Sequence, residues 1–158
     1  MPSLSPGTPG AKEAYGISII REDFSICIPP KAFQRYQLAN NDLVLLTSTR
    51  IEEPGLAILN YHKAYKSVFK KIIDKIELTD SPIWEKSRPY VLTKVKNSKV
   101  FLNKAILDAF NLKPRDRLLV IKSTTVSMCY SPVEVWKRKF IKRGFTEAIE
   151  NLSKLEIF

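Results

Sequence analysis

The sequence predicts an α+β, strand-rich chain made of two similar ββαββ units, each followed by an amphipathic helix. The stretch from Ile26 to Leu46 recurs as Val100 to Val120. Each copy reads as a strand, a short helix, a polar corner with an Asp, and another strand. The copies align without gaps at a spacing of 74, with Leu38 and Leu112, Asp42 and Asp116, and Leu45 and Leu119 identical. A hydrophobic content of 44% over 158 residues is enough to bury a core, although a lone unit of this size is marginal by surface-to-volume scaling and the halves are expected to pack intimately. Each copy is followed by apolar residues recurring at spacings of three and four, the period of a helix.

Residues 1–13 contain Pro2, Pro6, Gly7, Pro9 and Gly10 without an apolar period, and are expected to be a disordered leader. The first unit spans 14–60. Ile17 to Ile20 opens it as a strand, Arg21-Glu22-Asp23 turns, and Phe24 to Ile28 returns. Pro29 and Pro30 remove two backbone donors and stop strand pairing, and Pro30 suits the start of a short helix through Tyr36. After the corner Ala39 to Asp42, Leu43 to Leu46 reads as a buried strand with Gly55 to Leu59 as its hairpin partner.

A basic helix and connector occupy 61–89. Tyr65, Val68, Phe69, Ile72, Ile73 and Ile76 predict one helix over 63–78, its stripe on the core and Lys63, Lys66, Lys70 and Lys75 in solvent. Asp80, Ser81 and Pro82 predict a single helical turn carrying Trp84. The second unit, 90–130, repeats the order: strand Tyr90 to Lys96, tight turn Asn97-Ser98, return strand Lys99 to Leu102, helix Lys104 to Phe110, corner Leu112 to Asp116, then strands Leu118 to Ile121 and Val126 to Tyr130. A C-terminal basic helix fills 131–158. Ser131-Pro132-Val133-Glu134 reads as its capping box. Trp136, Phe140, Ile141, Phe145, Ala148, Ile149 and Leu152 form its stripe, and Lys137, Arg138, Lys139, Lys142 and Arg143 a basic belt. Gly144 inside it costs about 1 kcal/mol relative to Ala and marks a kink.

Charge directs the functional reading. Lys and Arg number 26 against 16 Asp and Glu, a net charge of +10, which favours a polyanionic partner because each phosphate neutralised releases counterions. Cys27 and Cys129 have neither metal-ligand spacing nor a disulfide framework, so a reducing, cytoplasmic setting is expected. No apolar run approaches the roughly 18 residues of a membrane span, and no membrane partner is expected. His62 is the one histidine, no Gly-rich phosphate loop exists among five glycines, and no metal cluster is visible. Asp42 and Asp116 read as corner residues that accept from nearby backbone amides. A non-enzyme without cofactor or metal is therefore expected.

Lys94, Lys96 and Lys99 flank the Asn97-Ser98 turn, with Lys94 and Lys96 on one strand face by period two. Such a ribbon tip can enter a major groove or lie along a backbone. The matching first turn carries Arg21 beside Glu22 and Asp23 and is nearly neutral. Lys31, Arg35 and Lys104 on the short helices are further phosphate contacts. These seven residues are the candidate DNA-binding set, and double-stranded DNA the expected partner.

The segments Ile26-Cys27-Ile28-Pro29, Leu38 and Asn41-Asp42-Leu43-Val44-Leu45 together resemble the AbrB/SpoVT/MraZ superfamily of swapped-hairpin DNA-binding domains. Leu102-Asn103-Lys104-Ala105-Ile106 with Leu112-Lys113-Pro114-Arg115-Asp116-Arg117-Leu118 resembles it a second time. The resemblance covers about 16–59 and 90–130. It implies that the two units interleave their hairpins into an intramolecular, pseudo-dimeric barrel, and that the chain is a DNA-binding transcriptional regulator. Phe24-Ser25 and Ser98-Lys99 stand where that family commonly has Gly-Arg, and Asn103 where it has proline. Among the family's DNA contacts, only Lys99 keeps a basic residue. The alternative is a protein-interaction or assembly module, antitoxin-like or scaffold, whose partner is an acidic protein or a second copy of the chain. RNA binding is a third reading that needs aromatics interleaved with cations on one sheet face.

Overall fold

The computed structural model describes residues 14–49, 53–79, 81–144 and 146–158. The expected leader 1–13, Asp80 and Phe145 lie outside them, as does the side chain of Ala148. The elements of the first half are β1 (Ala14–Ile19), β2 (Ser25–Cys27), α1 (Pro30–Arg35), β3 (Leu43–Thr47), β4 (Leu56–Asn60), α2 (Tyr61–Tyr65) and α3 (Lys70–Ile73). The second half begins with β5 (Ile83–Glu85). It continues with β6 (Arg88–Lys94), β7 (Lys99–Phe101), α4 (Lys104–Ala109), β8 (Arg117–Lys122), β9 (Ser127–Pro132), α5 (Val133–Arg143) and α6 (Thr146–Ser153).

Strands pair across the halves more than within them. One sheet runs β1-β8-β9-β4-β3-β6-β5, all antiparallel, and a separate ribbon joins β2 to β7. Exchanging the halves maps β1–β8 onto β6–β3 and β3–β4 onto β8–β9, while β2–β7 and β4–β9 map onto themselves. The centres of the self-mapped pairs are Ile26 opposite Val100 and Ala57 opposite Cys129.

The local geometry repeats at the spacing of 74. Phe24 and Ser98, Gln37 and Asn111, and Asn41 and Arg115 all have positive φ, at 66° and 58°, 55° and 57°, and 74° and 74°. The Leu38 and Leu112 amides donate to the Phe33 and Leu107 carbonyls at 3.0 and 2.9 Å. The Asp42 and Asp116 carboxylates accept from the Ala39 and Lys113 amides at 2.9 and 3.0 Å, so both acids fasten corners, as their position in the sequence predicts.

Both faces of the sheet are covered, and the strands alternate accordingly. Val44, Leu46, Leu56, Ile58, Leu118 and Val120 face a central core shared with β2, β7, α1 and α4. Leu45, Ala57 and Leu59 face the other way, onto a core that includes Ala64, Phe69, Ile72 and Ile73 of the α2–α3 region. Leu119 and Ile121 face Val133, Phe140 and Leu152 of α5 and α6. Each fully buried aliphatic side chain contributes about 1.5–3 kcal/mol. After each helix pair the chain returns as a short extended piece parallel to a strand of the other half, β6 or β1. Leu78 bridges Leu92, and Ile157 bridges Ile17.

The α+β, strand-rich class holds, but the expected barrel is an open sheet with β1 and β5 at its ends. The helix pairs bury the outward-facing residues of β3, β4, β8 and β9, so the sheet has a core on each face. The single helix expected over 63–78 is two short ones. The Ser67 hydroxyl donates to the Ala64 carbonyl at 2.6 Å and accepts from the Phe69 amide at 3.2 Å, turning the chain. Val68, expected in the stripe, is 86% exposed in consequence. Trp84 lies on β5 instead of a helical turn, in a hairpin closed by Lys86 and Ser87, both at positive φ. At 131–134 the expected capping box is absent, because Ser131 and Pro132 belong to β9 and Pro132 caps α5 without a side-chain bond. Gly144 at φ 72° ends α5 as a left-handed C-cap, and Ile141 is 67% exposed.

Candidate nucleic-acid interface

The second hairpin tip is built on a turn of two residues. Asn97 and Ser98 have φ 51° and 58°, the left-handed pair that suits a tight hairpin. Lys96 and Lys99 exchange backbone hydrogen bonds of 2.9 Å across it. Lys94 and Lys96 are exposed on either side of buried Val95, and Lys99 is half-buried. The tip does not hang free. The Ser98 amide donates to the Asn40 side-chain oxygen at 2.9 Å, and the Asn41 amide to the Val95 carbonyl at 2.7 Å. Val95 donates in turn to the Asp42 carbonyl at 2.9 Å. Three lysines thus stand on a rigid turn held by the other half's corner. Asn40 is a positioning residue that sequence reasoning missed, although the Asn-Asn-Asp corner carried the signal.

The first tip rests on the other corner through matching backbone bonds, from the Arg115 amide to the Ile20 carbonyl at 2.8 Å and from the Ile20 amide to the Asp116 carbonyl at 3.0 Å, but Pro114 stands where Asn40 does and the charge differs. Its Arg115 neighbour donates to Glu22 at 2.7 Å, and Arg115 carries the φ of its counterpart Asn41. Asp23 accepts from the Ser25 hydroxyl at 2.6 Å and from the Ser25 amide at 3.0 Å. These bonds hold its carboxyl below the ordinary value of 3.8, and the Lys99 charge assists. Arg21 is exposed here among acids.

The other expected contacts are divided between the two ends. The Leu102 amide donates to the Phe24 carbonyl, which brings the start of α4, with exposed Lys104, to the first tip. The Ile28 amide donates to the Ser98 carbonyl, which brings the start of α1, with exposed Lys31, to the second. Arg35 is exposed in the last turn of α1. There the buried Tyr36 hydroxyl donates to the Thr124 and Ser127 carbonyls at 3.0 and 2.9 Å, and burial pushes its pKa up. The structure therefore groups Lys94, Lys96, Lys99 and the α1 start, and sets Arg21 and Lys104 apart.

Among the described residues no three His, Cys, Asp or Glu side chains gather as a metal-binding group, and no helix is long and apolar enough to cross a membrane. Aromatic and basic side chains also meet between α2 and α3: Tyr65 is 40% exposed, stacks on Tyr61 with ring centres 6.1 Å apart, and has the Lys70 ammonium 5.4 Å from its own ring centre. Set beside known proteins, the chain matches no family model, no curated protein and no solved structure.

Proposed function

We propose that the chain is a duplex-DNA-binding protein, a transcriptional regulator built as a tandem swapped-hairpin unit of the AbrB-like kind. The observation that carries this reading is the second hairpin tip. Lys94, Lys96 and Lys99 surround a turn fixed from two sides, and among the described residues none of the three makes an ion pair. Cations without an ion-pair partner, carried on a fixed turn, fit a phosphate backbone, where each neutralised phosphate releases condensed counterions. The exchange of strands between halves supports the swapped-hairpin reading, because every pairing except β5–β6 is matched by another, or by itself, when the halves are exchanged.

The test is fluorescence anisotropy with a labelled duplex over a salt series. Replacing Lys94, Lys96 and Lys99 together by Ala is expected to reduce the slope of log K against log salt by about 2–3, since each phosphate contact contributes about 0.9. An unchanged slope, or no binding at low salt, overturns the reading. A second reading, a protein-interaction module, is favoured by the sheet edge at β5, where Trp84 is 58% and nearby Leu78 52% exposed. Co-purification of an acidic protein without a shift of labelled DNA is the result that supports it.

A further inference from the structure

The segment Glu156 to Phe158 lies along β1. The Ile17 amide donates to the Glu156 carbonyl at 2.9 Å, and the Phe158 amide to the Ile17 carbonyl at 2.7 Å. Gly16 is needed for this approach, because a Cβ there would stand 2.7 Å from the Phe158 ring and 2.9 Å from the Glu156 carbonyl oxygen. Between this segment and the start of α1 lies a cleft of about 380 Å³, walled by Tyr15, Leu155 and Phe158. Lys31 from α1 and Lys154 just after α6 line it, and Glu156 is the one acidic side chain among the described residues of its lining. Neither lysine makes an ion pair among the described residues.

We infer that this cleft binds a small amphipathic anion, an organic carboxylate with a short apolar body. The volume lies within the range of small-molecule sites, which combine apolar walls with a few convergent polar groups. The apolar walls take the body of the ligand out of water, and two cations from different elements meet the carboxylate at the mouth. The site belongs to one half alone, because Ala105 occupies the position in α4 that Lys31 holds in α1. A second cleft of the same size, between β8 and the α5–α6 pair, is less suited. Its Lys137 is 3.6 Å from Glu134, and its lining includes Glu150 as well as Arg117.

The test is a titration of the ¹⁵N-labelled full chain with octanoate, followed by amide NMR shifts, with 1-octanol as the uncharged control. Octanoate is expected to saturate the amides of Tyr15, Lys31 and Lys154 to Phe158 with a dissociation constant near or below about 1 mM, about tenfold tighter than the alcohol. The double variant Lys31→Gln with Lys154→Gln changes only exposed side chains. It is expected to abolish the preference for the acid while leaving the weak response to the alcohol. The absence of saturable shifts, equal affinity for acid and alcohol, or a double variant that still prefers the acid overturns the inference. DNA is absent from the experiment, so its outcome is independent of the regulator reading.

Discussion

At the first hairpin tip Asp23, Phe24 and Ser25 occupy the places that Asn97, Ser98 and Lys99 hold at the second. The positive φ of Phe24 and Ser98 and the reciprocal bonds to Leu102 and Ile28 are common to both. The charges are opposite. One tip has Glu22 paired with Arg115 and an Asp23 carboxylate stabilised by hydrogen bonds, and the other has three lysines without an ion pair among the described residues. The backbone of a corner is maintained by a few bonds, among them the Asp side chain and the amide at positive φ, and those positions are kept in both halves. Side chains that point to solvent are not bound by the fold, and there the halves have diverged. The difference teaches that the pseudo-symmetry belongs to the core, while any partner meets an asymmetric surface.

The largest effect is expected where the symmetry is strongest. Phe110 is 1% exposed and matches Tyr36 in α1, and both belong to the core shared by the two halves. Phe110→Ala is expected to cost about 3–5 kcal/mol. The loss should appear as one cooperative transition, because strands from both halves alternate through the sheet. Chemical denaturation followed by backbone circular dichroism and by the fluorescence of Trp84 and Trp136 checks this. Two separated transitions would show that the halves fold as independent units.

A smaller effect is expected from making the tips alike. Glu22→Lys with Asp23→Asn removes the two acids of the first tip and frees Arg115 from its partner. If the second tip meets DNA phosphates, the altered chain has a second tip of the same kind. The slope of log K against log salt should then steepen by about 1–2. Anisotropy with the same duplex measures it, and an unchanged slope would mean that position, as well as charge, distinguishes the tips.

Much of the order of elements along the chain and both corners were legible in the sequence, because prolines, the Asp corners and alternating apolar residues act locally; the pairing of β1 with β8 and of β2 with β7, in place of a β1–β2 and a β6–β7 hairpin, was not. The helix over 63–78 was misread because spacing alone cannot register that Ser67 bonds its own neighbours and turns the chain, leaving Val68 in water. The β5–β6 hairpin was missed because Lys86-Ser87 has none of the Gly or Asn that announce a left-handed turn. At the candidate interface the lysines around Asn97-Ser98 were legible as a set. Their fixation by Asn40 was not, since that bond joins residues distant in the chain. The cleft joining Lys31 to Lys154 had no local signal at all, because it exists only once Glu156 to Phe158 lies on β1.

The smallest expected effect isolates one group of the acidic tip. The Ser25 hydroxyl is the principal cause of the lowered Asp23 pKa, ahead of the Ser25 amide and Lys99. Ser25→Ala should therefore raise the Asp23 pKa toward 3.8, with the remaining bond and charge keeping it slightly lower. A carboxyl that is more acidic in the folded chain than in the unfolded one stabilises the fold above the unfolded value. That contribution is lost as pH falls through the folded value. The wild-type chain should accordingly lose stability more steeply below about pH 4 than the variant does. A ¹³C carboxyl titration reads the pKa directly, and denaturation at several acidic pH values reads the linkage. At the second tip Asn97, which carries no titratable group, stands in place of Asp23, and Asn97→Ala should leave the acid limb of the stability curve unchanged. An Asp23 pKa unmoved by Ser25→Ala would remove the hydroxyl from its causes and leave the amide at position 25, and behind it the Lys99 charge, to hold it down.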